Sequence, residues 1–94
     1  MIDWKKNIYC GVCGFQNDEY PWGKDGELPT FDLCSCCGIQ HGYEDIDASS
    51  LRKQRLKWIA NGSEWLIQKL EPDNWDYRDQ LKNVLSESEI ELLG

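Results

Sequence analysis

Cys10-Gly11-Val12-Cys13-Gly14-Phe15-Gln16 and Cys34-Ser35-Cys36-Cys37-Gly38-Ile39-Gln40 are two copies of one pattern, C-x-x-C-G-apolar-Q. Two residues between cysteines let both sulfurs of a tight turn point at one ion. A glycine after the second cysteine supplies the positive φ that completes the turn. Two such knuckles close a tetrahedral four-sulfur cage, with zinc–sulfur distances of about 2.3 Å. Twenty residues separate Cys13 from Cys34, enough to bring the knuckles face to face. Cys10, Cys13, Cys34 and Cys37 are therefore the expected metal ligands, with Zn2+ as the metal and iron as the alternative. Cys36 is left over, because pairing it with Cys34 would put only one residue between ligands. It is expected as a packed or partly exposed thiol near the metal. His41 is expected to be a hydrogen-bonded residue near the surface rather than a ligand.

Outside these motifs the 94-residue chain is polar and acidic, with 10 Lys and Arg against 17 Asp and Glu and a formal charge of −7. The length suits one small domain, 1–94, without room for two cores. No apolar stretch approaches the roughly 20 residues of a membrane helix. Residues 1–7 lack the apolar run of a secretory signal, so a reducing cytoplasm, in which clustered cysteines bind metals more often than they form disulfides, is the expected compartment. Charge falls in blocks: −6 over residues 1–48, +4 over 49–70 and −5 over 71–94. The cations Arg52, Lys53, Arg55 and Lys57 are expected to pair with the acidic segments, and nucleic acid is not expected as a partner.

The expected fold is α+β: a β-hairpin half, 1–47, followed by a helical half, 48–94. Lys6–Cys10 and Pro29–Cys34 read as short strands, with a turn at Asp25-Gly26. Leu51, Arg55, Trp58, Ile59, Gly62, Trp65, Leu66 and Leu70 share a face at helical spacing. This predicts one helix, capped at Ser49 or Ser50, from Leu51 to about Lys69. The alternative is a pair of helices with Ser63 capping the second. A helix near Trp75–Val84, capped by Asn74, follows. Ser86-Glu87-Ser88-Glu89 then reads as a capping box opening a last short turn. Trp22, Trp58, Trp65 and Trp75 read as core or knuckle-covering aromatics, and Trp4 and Trp22 as the two with the most exposure.

Ile8-Tyr9-Cys10-Gly11-Val12-Cys13-Gly14-Phe15, Pro21-Trp22-Gly23-Lys24-Asp25-Gly26, Thr30-Phe31-Asp32-Leu33-Cys34-Ser35-Cys36-Cys37-Gly38 and Gly42-Tyr43-Glu44-Asp45 resemble the cysteine-rich CPCC family of small bacterial proteins. Arg55-Leu56-Lys57-Trp58-Ile59, Pro72-Asp73-Asn74-Trp75 and Gln80-Leu81-Lys82-Asn83 extend the resemblance over about residues 8–84. Ser35 stands where that family usually has proline, a change that spares every ligand. The resemblance implies a zinc-ribbon-like fold with rubredoxin-type knuckles and a bacterial cytosolic setting, and it implies no reaction.

Four thiolates fill a tetrahedral metal, leaving no position for a substrate water, and no nucleophile motif or phosphate loop is present. The expected function is a non-enzymatic structural-zinc module that binds another protein, a basic one, through acidic residues such as Glu44, Asp45 and Asp47. An immunity or antitoxin role against a basic toxin is the sharper version. The alternative is a rubredoxin-like iron electron carrier, since Tyr9-x-Cys10-x-x-Cys13-Gly14-Phe15 is similar to a rubredoxin knuckle.

Overall fold

The protein is described from a computed structural model covering residues 4–93. The two C-x-x-C-G segments fold into matching turns. Cys10 N donates to Phe15 O at 2.8 Å and Gly14 N to Cys10 O at 2.8 Å; Cys34 N donates to Ile39 O and Gly38 N to Cys34 O, both at 2.9 Å. Gly14 and Gly38 complete them at φ 81° and 79°. Such φ values favour glycine, which lacks a Cβ.

The expected β-hairpin half does not form. Among the described residues there is no strand and no sheet, only the isolated antiparallel bridges Tyr9↔Gln16 and Leu33↔Gln40. Each knuckle thus stops one bridge beyond its turn. On the first, Trp4–Lys6 is wound into a 3-10 turn where the strand was expected to begin. On the second, Phe31 takes a left-handed φ of 60°, which breaks the extended backbone from Pro29 to Cys34. The fold is a pair of cysteine-bearing turns packed under short helices, rather than a ribbon followed by a helical half.

Helix α1 spans Ala48–Ala60, and its N-cap is Asp47, whose carboxylate accepts from Ser50 N at 2.7 Å. Neither Ser49 nor Ser50 caps it. The predicted continuation to Lys69 is also absent. Gly62, at φ 94°, donates to Ile59 O, and Ser63 N donates to Trp58 O at 2.9 Å. That pair of bonds is a Schellman stop, for which a glycine just past the helix is the usual residue. Ser63, at φ 54°, caps no second helix. Instead, residues 64–67 run past the second knuckle, where Leu66 N donates to Cys36 O at 2.9 Å and Ile67 N to Ser35 O at 3.0 Å.

Helix α2 is a short stretch, Tyr77–Leu81, capped by Asp76 rather than Asn74. Helix α3, Glu87–Glu91, opens on Ser86 with the expected capping box to Glu89.

The main buried cluster joins the cysteines to Val12, Ile39, Leu51, Trp58 and Trp65. Trp65 lies edge-on to Phe15 and Trp75, with ring centroids 5.4 and 5.3 Å away, and Trp58 continues the stack to Tyr77 at 6.2 Å. Such edge contacts suit the ring quadrupoles. A second cluster, Leu81, Val84, Leu85 and Ile90, seats α2 and α3.

Candidate metal centre

The two knuckles bring the four predicted sulfurs together. The Sγ atoms of Cys10, Cys13, Cys34 and Cys37 lie within 4.8 Å of one another. Cys10 and Cys37 are 3.7 Å apart, Cys13 and Cys34 3.6 Å. A tetrahedron with metal–sulfur bonds of about 2.3 Å has edges of about 3.8 Å, so the donor set fits a four-coordinate thiophilic ion. Cys10, Cys13 and Cys34 are fully buried, and Cys37 is partly exposed.

Burial and mutual contact set the electrostatics of the cluster. Burial, reinforced by hydrogen bonds from neighbouring cysteines, pushes the Cys13 thiol well above its ordinary value. Burial does the same at Cys37. Hydrogen bonds from Cys10, Cys13 and Cys37 hold Cys34 far below its ordinary value. Thiols become metal ligands by losing their protons, so an ion would favour the thiolate form at all four positions.

The polar groups around the site come mainly from elements distant in sequence. Arg55, buried on α1, donates from Nε to Val12 O at 3.0 Å and from a terminal nitrogen to Gly11 O. Gln80 Nε2 donates to Cys13 O at 3.0 Å and lies 3.4 Å from Cys36 Sγ. Asn83 donates to Gly14 O at 2.9 Å. Cys36 is completely buried beside the four sulfurs and outside their set, and Gln80 is its polar contact. The expected pairing of Arg55 with acidic segments gives way to these carbonyl contacts. Arg52, Lys53 and Lys57 make no ion pair among the described residues, where the pairs are Lys82–Asp79 and His41–Asp45.

On the second knuckle, His41 and Asp45 depart furthest from expectation. His41 is 2% exposed and Asp45 fully buried, so neither faces solvent. Asp45 accepts from Trp22 Nε1 at 3.0 Å and Gly42 N at 2.7 Å, and its Oδ2 lies 3.3 Å from His41 Nδ1. Burial disfavours its charge, but those donors outweigh burial and hold its pKa below the ordinary 3.8. For His41, burial opposes the imidazolium, while Asp45 and then Cys34 favour it more strongly, raising its pKa to about 10. Trp22 is buried, and Trp4, whose Nε1 donates to Asp45 O at 3.0 Å, is half-buried, where both were expected to have the most exposure.

Glu44 and Asp47 are likewise used internally, Glu44 accepting from Gln40 N at 2.9 Å and Asp47 capping α1. The free carboxylates lie elsewhere. Asp18, Glu19 and Asp32, all exposed, line a groove of about 780 Å³ together with Phe15, Pro21, Leu33 and Leu70. Sequence reading missed this groove, because its walls come from four separate segments.

No helix among the described residues is long and apolar enough to cross a membrane. In comparisons with known proteins, no family model matches the chain, including any for the CPCC family, and no solved structure matches it. The chain is similar to the uncharacterised protein YozI of Bacillus subtilis (strain 168), 35% identical over 69 aligned positions that cover 56% of this chain and 57% of that protein. The match thus spans little more than half the length of that relative.

Proposed function

We propose that this protein is a non-enzymatic module folded around one structural zinc ion, and that it works by engaging a basic protein. The observation carrying the reading is the four-sulfur cluster, whose geometry matches a tetrahedral thiolate site with three of its four donors fully buried. Four protein donors fill a tetrahedral coordination sphere, leaving none for a substrate or activated water. The metal then holds the fold, since structural zinc contributes about 10–16 kcal/mol of apparent free energy in small zinc peptides.

The partner half of the reading is supported by the groove between Asp18, Glu19 and Asp32. Leu33 is 57% exposed and Leu70 46% exposed, so apolar side chains and carboxylates share the lining of one groove. That combination suits a cationic segment with an apolar side chain, recognised by burial and steered by charge.

Metal analysis tests the first half: one zinc per chain is expected in colourless protein, and a red, iron-containing preparation would favour electron transfer instead. The second half is tested by affinity capture from the native organism, using wild-type protein and the Asp18→Lys, Glu19→Lys, Asp32→Lys variant. A captured basic protein lost on charge reversal supports the reading. Capture unchanged by reversal contradicts it.

A further inference from the structure

Helix α1 buries one side against the knuckles and turns a cationic side to solvent. Leu51, Arg55 and Trp58 are its buried residues, whereas Arg52, Lys53, Leu56 and Lys57 are exposed. At 3.6 residues per turn the exposed set lies opposite the buried one, with Leu56 between Arg52 and Lys53. Leu56 is 47% exposed, and the three cations around it make no ion pair among the described residues. The groove has the complementary character, because Asp18, Glu19 and Asp32 share its lining with Leu33 and Leu70. Three carboxylates with exposed leucines stand on one part of the surface, and three cations with an exposed leucine on another. No α1 residue lines the groove, and Arg55 ties α1 to the first knuckle through Val12 O and Gly11 O. The two surfaces therefore do not meet within one molecule.

We propose that the free protein self-associates head to tail, the exposed face of α1 on one copy docking in the acidic groove of the next. The inference rests on the reading of the groove as a site for a cationic segment with an apolar side chain, and α1 is such a segment. Leu56 enters beside Leu33 and Leu70, while Arg52, Lys53 and Lys57 face Asp18, Glu19 and Asp32. At about 780 Å³ the groove falls within the size of clefts that enclose a drug-sized group, room for a leucine and the stem of a flanking cation. Each copy carries a formal −7, so copies repel at long range. At physiological salt that repulsion is screened beyond about 8 Å, whereas partly buried pairs inside a groove are screened much less. The contact joins two different surfaces, so the end copies keep a free groove or a free α1, and assembly passes the dimer unless a ring closes. Self-association also covers the groove, and a basic partner must displace α1 to bind there.

Sedimentation of the full-length, metal-loaded protein over a concentration series reaching millimolar tests this. The mean mass of wild type is expected to rise with concentration. Asp18→Lys, Glu19→Lys, Asp32→Lys in one chain and Arg52→Glu, Lys53→Glu, Lys57→Glu in another are each expected to stay monomeric. Their equimolar mixture is expected to associate again, since each reversed surface then meets its complement. Both chains remain net acidic, so overall charge does not drive that rescue. Leu56→Ser is expected to weaken wild-type association about tenfold, the cost of losing burial of roughly half a leucine. A monomeric wild type, association that survives either reversal, or a mixture of folded variants that stays monomeric overturns the inference. If a variant does not fold, carbodiimide cross-linking of isotopically mixed wild-type copies decides. Links between copies from Lys53 or Lys57 to Asp18, Glu19 or Asp32 support it, and their absence overturns it. A monomeric wild type that still captures a basic protein through the groove removes only self-association, whereas capture unchanged by groove reversal removes the groove reading itself.

Discussion

Arg55 crosses from α1 to the first knuckle and donates to the carbonyl oxygen of Val12 at 3.0 Å, at a sequence separation of 43. With its second bond to Gly11, the guanidinium covers two carbonyls of the turn that carries Cys10 and Cys13. Its fork holds both at once, which a lysine ammonium does less well. Hydrogen bonds from charged donors contribute about 1.5–3 kcal/mol each when buried. Arg55→Ala is therefore expected to lower stability by at least one such increment, and Arg55→Lys to recover only part of it. Urea unfolding of the metal-loaded proteins measures both, and a neutral Arg55→Ala would show that the contacts carry no weight.

The twin knuckles allow an internally controlled test of the glycine turns. Gly14 and Gly38 share nearly the same φ, so alanine meets similar left-handed strain at each, roughly 1–2 kcal/mol. Their surroundings differ. A Cβ on Gly14 would collide with the Gln80 backbone carbonyl, whereas one on Gly38 meets only the Leu66 side chain, at an ordinary 3.7 Å. Gly14→Ala is expected to be clearly the more destabilising and to displace α2. Thermal unfolding of the pair measures the difference, and equal losses would mean that α2 does not pack against the first knuckle as described.

Removing the metal should unfold the knuckles before the capped helix ends. Chelation is expected to lower the melting temperature sharply and abolish near-ultraviolet signals from Trp65 and Trp58, which stack over the cluster. An unchanged melting temperature after full metal removal would contradict a structural role for the ion.

The pH dependence follows from Asp45. Its folded pKa lies below the 3.8 of the unfolded chain, so ionised Asp45 contributes stability above about pH 4, and that contribution is lost as pH falls through the lower folded value. The part of the stability difference between wild type and Asp45→Asn that comes from the ionised carboxylate should close as pH falls below about 4. Urea titrations below about pH 5 check it, and a gap that widens as pH falls through 4 would contradict the sign.

The convergence of the four sulfurs was legible because C-x-x-C-G encodes its own geometry: spacing aims the sulfurs and glycine closes the turn. Ser86 and Glu89 were legible for the same local reason. The strands were not, because alternating apolar residues near a knuckle do not reveal that Phe31 turns left-handed and ends the pairing. The end of α1 was hidden by Trp65, which keeps the helical period while reaching the core from an irregular segment. Asn61-Gly62 carried the stop signal, and the period outweighed it. Asp45 and His41 were misjudged because their burial depends on Trp22 and Trp4, which come from two other segments.

Metal content across three proteins tests the central claim, that four of the five cysteines hold one ion and Cys36 does not. Wild type and Cys36→Ser are expected to retain one metal per chain by native mass spectrometry, and Cys13→Ser to lose it. Metal-free wild type, or Cys36→Ser emptied as completely as Cys13→Ser, would contradict the account.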